Sequence, residues 1–392
     1  METRPAIIGI GAVKAGRYPD RTETDLALEA VCLALADAGI GKERVQAVFA
    51  TPDLRPTIGL HVNRLCEYLR LDTRVAAETT CGAVAPGLAI RFAVNEILLG
   101  HIEVAVCYGA EREGSTGWYK TIGSGGGSEL FEPCALQAYG TRGVVWAYAL
   151  AARRYMHETG ATEEHFAMAA VRNRRHAAAS PWAAFTRPIS VEDVLRSPPL
   201  CTPIKLLDAP VSLDGAAAVV VASAEVARRV CERPVHIAGI GQFHDASTIV
   251  PTDGCDRPIS TFVSTRRAAE EAFERAGVGP EEIDVAELYA PFSPFELVVP
   301  EDIGWFERGG MVAALERGDT GVGGRLPINT DGGLLSRGHP WGVTGFYETI
   351  AVTRQLRGEA GDNQVPEART GLVHLEAGML NDTLIMILRR DG

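Results

Sequence analysis

The sequence predicts an α/β protein made of two repeated halves with mixed sheets. Three observations predict it: a short glycine motif that occurs twice, a second pair of segments that align without a gap, and a β-α-β-α-β order in each half. Ala6 to Gly11 reads AIIGIG and His236 to Gly241 reads HIAGIG, each followed by a loop and an alanine-rich amphipathic helix. Residues 1–110 are expected to form the N-terminal half and 231–392 the C-terminal half. Between them, 111–230 are an inserted covering region plus the closing strand of the first half.

The elements follow in order. The helix Asp25 to Ala38 ends in AGIGKERVQAVFA, and the helix Thr265 to Ala276 ends in AGVGPEEIDVAEL. Glycine past the helix, a polar turn and an alternating strand are a helix C-cap and strand entry. Cys81 to Gly100 (CGAVAPGLAIRFAVNEILLG) lies on His339 to Gly358 (HPWGVTGFYETIAVTRQLRG) without a gap, superposing Cys81 on His339. Each segment reads as a helix. An extended segment precedes it (Arg74 to Glu78; Leu326 to Thr330) and an apolar strand follows (Ile102 to Tyr108; Thr370 to Glu376). Pseudo-twofold stacking of such halves brings the two helix N-termini together.

The region Glu111 to Arg229 does not repeat. It holds a glycine-rich stretch (Gly123 to Gly127), basic helical runs (Ala151 to Met156; Val171 to His176), a proline-marked loop (Ser197 to Pro203) and a strand (Gly215 to Ala222). Long insertions on a closed scaffold carry specificity, so the substrate-covering surface is expected here.

Composition narrows the function. The 392 residues carry a net charge of −12 with no basic stripe, which argues against capture of nucleic acid or anionic lipid. No run approaches the ~20 apolar residues of a bilayer span, and the N-terminus lacks the pattern of an export signal, so a cytoplasmic protein without a membrane span is expected. The eight cysteines (32, 66, 81, 107, 134, 201, 231 and 255) are irregularly spaced, mostly within apolar runs, and read as reduced core thiols. No metal-ligand spacing occurs, so no bound metal is expected.

Two positions stand out chemically. Cys81 sits after a polar Thr pair and directly before a helix starting at Gly82, where the macrodipole favours a thiolate nucleophile. The competing reading is a structural thiol. Asn329 to Gly345 (NTDGGLLSRGHPWGVTG) places His339 at another helix start, where Nε2–H can be donated to a carbonyl oxygen, stabilising a thioester enolate or a tetrahedral intermediate. The competing reading is a helix-capping histidine. His61, His157, His165 and His176 read as surface residues.

These segments, ETTCGAVAPG around Cys81, GHPWGVTG at His339 and SLDGAAAVVV at Ser212 to Val221, resemble the thiolase superfamily. The fit is closest to its lipid-transfer-protein (SCP2-type) branch, which shares RRYMHETG (Arg153 to Gly160) and NRRHAA (Asn173 to Ala178). The resemblance covers essentially the whole chain. It implies a five-layered α-β-α-β-α fold, a homodimeric core, and a coenzyme A thioester as substrate with no covalently bound cofactor. Cys81 would take the acyl group and His339 would help form an oxyanion hole. Asn329, Ser293 and Gly378 are the expected substrate-binding residues. The chain is also similar to thiolase-like subunits that pair with a small OB-fold/zinc-ribbon protein, so such a partner is implied.

Two departures matter. ELYAPFSPFEL (Glu287 to Leu297) places Tyr289 where thiolases have the Asn of Asn-Glu-Ala-Phe and the SCP2-type branch the His of His-Asp-Cys-Phe. GLVHLEAGM (Gly371 to Met379) places His374 at the second cysteine of a C-x-G motif. Tyr289 can donate to an oxyanion or act as base, or be a core tyrosine; His374 can replace the lost base, or be structural. Glu287 either orients groups at this turn or caps the next helix. A tyrosine at the first position is similar to steroid side-chain aldolases of the superfamily, in which tyrosines drive retro-aldol cleavage of a β-hydroxyacyl-CoA. Those aldolases do not keep the GHP histidine, whereas this chain keeps it and Cys81.

Three functions follow. The first is a thiolase-type acyltransferase with an acyl-Cys81 intermediate, making or breaking a carbon–carbon bond beside a thioester. The second is a retro-aldolase using Tyr289, and the third a non-catalytic acyl- or lipid-binding subunit. The first ranks ahead because nucleophile and oxyanion donor both persist. Arg153, Arg154, Arg172, Arg174 and Arg175 read as a helical surface run in preference to coenzyme A phosphate ligands.

Overall fold

The computed structural model describes residues 4–51, 60–117, 144–245, 258–378 and 381–391. Its strands, in chain order, are β1 (Ala6–Ala12), β2 (Ala47–Thr51), β3 (Val75–Glu78), β4 (Val104–Glu111), β5 (Pro199–Cys201), β6 (Ile204–Lys205), β7 (Gly215–Ala222), β8 (Val235–His244), β9 (Val285–Leu288), β10 (Thr370–Ala377) and β11 (Asp382–Arg390). The first half contributes β3-β2-β4-β7-β1 and the second β8-β11-β10-β9. Both are mixed: β2 runs parallel to β3 and β4, and β9 parallel to β10, while β7 and β11 run antiparallel to both neighbours. A short antiparallel pairing of Ala6 with His236 and Ile7 with Val235 joins the halves.

The twice-occurring glycines explain how each outer helix sits. A Cβ on Gly11 would lie 2.3 Å from the Ala30 carbonyl oxygen, and one on Gly241 2.0 Å from that of Ala268. The bare strand face therefore lets the helices Glu23–Asp37 and Val263–Ala276 approach at backbone contact, through alanines four residues apart. Leu26 and Ala34 pack with Val48, Val106 and Val220 on the outer face of the first half. Ala272 packs with Leu288, Leu372 and Ile385 on that of the second. Between the half-sheets lie the helices Ala85–Leu98 and Thr344–Arg357, whose Ile90, Ala93, Phe346 and Ile350 share one core with Cys107, Val219, Leu375 and Leu384. The result is the expected five-layered α-β-α-β-α arrangement.

The central helices meet end to end, since a Cβ on Gly345 would lie 3.1 Å from the Pro86 Cβ. Neither starts where the gapless alignment places it. A turn with Gly82 at φ +50 and a bond from the Val84 N–H to the Cys81 carbonyl precede the first helix, and the 3-10 turn Trp341–Val343 precedes the second. The segment Leu326 to Thr330, expected as a strand or extended loop, is an extended loop with one bridge, Ala286 to Ile328, because Pro327 lacks a donor and Asn329 is left-handed at φ 54.

Other expectations change as well. The proline-marked loop contains β5, paired with β6. Arg172 and His176 are buried, because the helix Glu163–Ala177 turns one face into the polar network described below. The described cysteines are free; Cys107 is buried but Cys32 is exposed on an outer helix. The Gly123 to Gly127 stretch, Cys134 and Cys255 lie outside the described residues. Among those residues, no helix is long and apolar enough to cross a membrane.

Candidate active site

A cavity of about 300 Å³ lies where the two halves and the insertion meet. Gly82 and Ala83 enter it from the turn after Cys81, Tyr289 from the end of β9, His339 and Trp341 from the GHP turn, and Glu376 to Gly378 from the end of β10. The insertion adds Val144, Val145 and Tyr148 and, from β5, Leu200.

The GHP turn is fixed by the segment that resembled thiolases at Ser212 to Val221. The His339 N–H donates to the Val211 carbonyl at 3.0 Å, and the Leu213 N–H returns a bond to the His339 carbonyl at 3.3 Å. Gly215 has no room for a side chain, since a Cβ would lie 3.0 Å from Pro340 Cγ and 2.5 Å from Tyr347 Oη. Trp341, at φ 33, is anchored by its Nε1–H to Ser212 Oγ at 3.0 Å and packs over the His339 ring at 5.1 Å between centroids.

His339 is the centre of this geometry. Its Nε2 is 3.1 Å from Tyr289 Oη and its Nδ1 is 2.9 Å from Thr344 Oγ1, at the first residue of the central helix. Burial, reinforced by the Arg337 guanidinium, lowers its pKa to about 3, so the ring is neutral near pH 7. A neutral ring has one donor and one acceptor: in the tautomer that donates Nδ1–H to Thr344 Oγ1, Nε2 accepts the Tyr289 proton, and in the other Nε2–H is donated to Tyr289 Oη. The rings of Tyr289 and His339 meet edge to face at 5.4 Å.

Cys81 is placed differently from expectation. Its Sγ–H donates to Asp382 Oδ2 at 3.1 Å, at the start of β11. Burial, then the hydrogen bond and negative charge of Asp382, pushes the thiol up to about 12. The helix begins at Ala85, so its N-terminus does not hold the sulfur as an anion. Cys81 is not among the described residues lining the cavity, although Gly82 and Ala83 are.

His374, Asn329 and Ser293 also move out of the expected site. The His374 side chain is fully buried with Nε2 3.4 Å from Thr265 Oγ1 of the outer helix, and burial lowers its pKa to about 3. On the same face of the pleat, two residues further along β10, Glu376 reaches the cavity instead. Asn329 accepts from the Leu288 N–H at 2.6 Å and donates to the Glu296 carboxylate at 2.8 and 3.0 Å. A fully buried amide must satisfy its polar atoms, and here that fixes the chain just before Tyr289. Arg172 and Asn173 hold the other side of Glu296. Ser293 donates to Asp208 at 2.5 Å, tying the insertion to the second half. Glu287 caps no helix; it is buried and accepts from Thr330 Oγ1 at 2.8 Å. The structure thus gathers Tyr289, His339 and Gly378 around the cavity, with Cys81 beside it.

Sequence reasoning missed Glu376 and Tyr148. The available signal was Glu376 itself, a lone acid within the otherwise uncharged apolar strand GLVHLEAG. Tyr148 carried none, since its aromatic neighbours come from distant segments. Among the described residues, no group of His, Cys, Asp or Glu could hold a metal ion.

Comparison with known proteins gives concordant matches. Residues 241–390 match the family described as Thiolase C-terminal domain-like. The acetyl-CoA acetyltransferase of Methanothermobacter thermautotrophicus is 30% identical over 98% of this chain and 99% of its own length. Sterol carrier protein 2 of Homo sapiens is 30% identical over 95% of this chain and 69% of its own. The solved Ltp2-ChsH2(DUF35) aldolase superposes with a TM-score of 0.86 at 30% identity, covering 99% of this chain and 98% of that one.

Proposed function

The chain belongs to the thiolase superfamily, in its lipid-transfer-protein (SCP2-type) branch, as a thiolase-type acyl-CoA enzyme, and from that premise we propose that the Tyr289–His339 pair is its proton-handling centre. The observation that carries this is the 3.1 Å contact between Tyr289 Oη and a neutral His339 Nε2 at the wall of the cavity. The substrate is a coenzyme A thioester whose acyl group enters the apolar cavity.

The geometry favours the retro-aldol route. The β-hydroxyl of the substrate gives its proton to Tyr289 Oη as the phenol proton moves to His339 Nε2. The oxygen closes to a carbonyl, the Cα–Cβ pair passes into a thioester enolate, and protonation at Cα releases the shorter acyl-CoA. A Cys81 sulfur bonded to a carboxylate is held as a thiol, which disfavours acyl transfer from the resting state. The acyl-Cys81 route has one observation of its own: Gly82 and Ala83, the residues that follow Cys81, line the cavity.

Variants separate the two. Under the aldol route Tyr289→Phe lowers kcat for carbon–carbon cleavage by about 10²- to 10⁴-fold, while Cys81→Ala stays near wild type. The reverse pattern, together with an acyl adduct on Cys81 by intact-mass spectrometry, establishes the acyl-cysteine route. The same reading includes a homodimeric core and a small partner subunit of the OB-fold/zinc-ribbon kind, supported by the likeness to an aldolase named with a ChsH2(DUF35) component.

A further inference from the structure

A second hydrogen-bonded tyrosine faces the same cavity. Tyr148 Oη, on the insertion helix Val145–Thr159, donates to Glu376 Oε1 at 3.2 Å. The Tyr148 ring is held edge to face against Phe295 at 5.0 Å and tilted against Phe292 at 5.1 Å. Both Tyr148 and Glu376 are nearly inaccessible, at 3% and 2% exposure, yet both line the cavity beside Leu200, Pro291 and Trp341. A carboxyl group in so apolar a wall is costly to bury.

Cleavage beside a thioester needs two proton transfers, one from the β-hydroxyl and one onto Cα. The Tyr289–His339 pair accounts for the first. We propose that Glu376 is the second acid/base: in its protonated form it delivers a proton to Cα as the enolate collapses, and its carboxylate removes that proton in the reverse direction. Tyr148 is a positioning residue that aims the carboxyl group. The atoms balance without a further reactant. The proton lost from the β-hydroxyl to the first pair equals the one Glu376 gives to Cα, and return of a proton from the first pair to Glu376 through solvent resets the site. The inference rests on the retro-aldol reading above, in which the β-hydroxyl supplies the balancing proton.

The test is exchange of the α-hydrogens of acetyl-CoA and propanoyl-CoA in D2O by the purified protein, followed by mass spectrometry. Glu376→Gln, which preserves shape, is expected to slow exchange at least about 100-fold, with thioester Kd changed by less than about threefold. Glu376→Asp is expected to recover part of the rate. Tyr148→Phe should slow exchange about tenfold and displace its pH profile, an effect that a purely structural contact would not produce. Wild-type exchange by Glu376→Gln overturns the role of Glu376 alone. No exchange by the wild-type protein on either thioester overturns the thioester reading and this inference together.

Discussion

The reactivity of Cys81 is set by its burial and by one neighbour, Asp382. The thiol is raised to about 12, with burial as the larger cause and the Asp382 hydrogen bond and charge adding to it. Asp382→Asn removes the charge, so the Cys81 pKa should fall and its alkylation by iodoacetamide should speed up at pH 8. A several-fold rise in rate, with the midpoint of the pH profile moved lower, is expected; an unchanged profile would leave burial as the whole cause. His339 behaves in the opposite sense. Its pKa is lowered to about 3, so the ring keeps the same neutral state as pH falls from 7 to 5, and loss of activity over that range should come from other groups. Cys81 and His339 were legible in the sequence as special positions. The direction of the Cys81 pKa was not, because Asp382 lies 301 residues away in the chain.

Each outer helix depends on two glycines of the strand beneath it. A Cβ on Gly241 would meet the Ala268 carbonyl oxygen at 2.0 Å, and backbone cannot step aside as a flexible side chain can. Gly241→Ala is therefore expected to destabilise the protein by about 3 kcal/mol, at the upper end of overpacking. Urea denaturation measures this, with Gly310→Ala as a control. At that helical position the nearest atom is 3.5 Å away, so removing glycine should be neutral or stabilising by about 0.5 kcal/mol. The repeated G-x-G followed by an alanine-rich helix was visible in the sequence, and so were the strands it implied. The helix starts were misplaced by three to five residues, since the gapless alignment could not register the turns built on Gly82 and on Trp341 to Val343.

The two halves assemble a cavity that neither contains alone, and among the described residues the β3 edge of the sheet stays open. β3 is an edge strand, and Phe92, Leu98 and Leu99 on the central helix of that half are 43%, 62% and 67% exposed. An open strand edge and exposed large hydrophobics are each costly in a free monomer, which supports the homodimeric core proposed above. Light scattering is expected to give twice the 41.9 kDa chain mass, and more when a small OB-fold/zinc-ribbon subunit is co-expressed. Ala76→Pro, which removes an outward-facing strand donor at that edge while the Val75 and Thr79 N–H groups keep their bonds to the β2 side, should return the mass toward the monomer. A monomeric wild-type protein at micromolar concentration would remove the proposal.

By itself the sequence determined the duplicated α/β architecture, because glycine placement, helix periodicity and alternation are local and each half states them independently. It also marked Tyr289 and His339, through departures from and agreement with a familiar pattern. Only the tertiary structure decided which polar side chains face the cavity. On β10 the expected base His374 and the unexpected Glu376 share one face of the pleat, and the 3.4 Å contact with Thr265 buries the first while the strand end exposes the second to the cavity. Asn329 was likewise drawn away by Glu296, a residue 33 positions before it. Such outcomes depend on contacts between distant segments, which compete for each buried donor and acceptor and are settled only when the layers close.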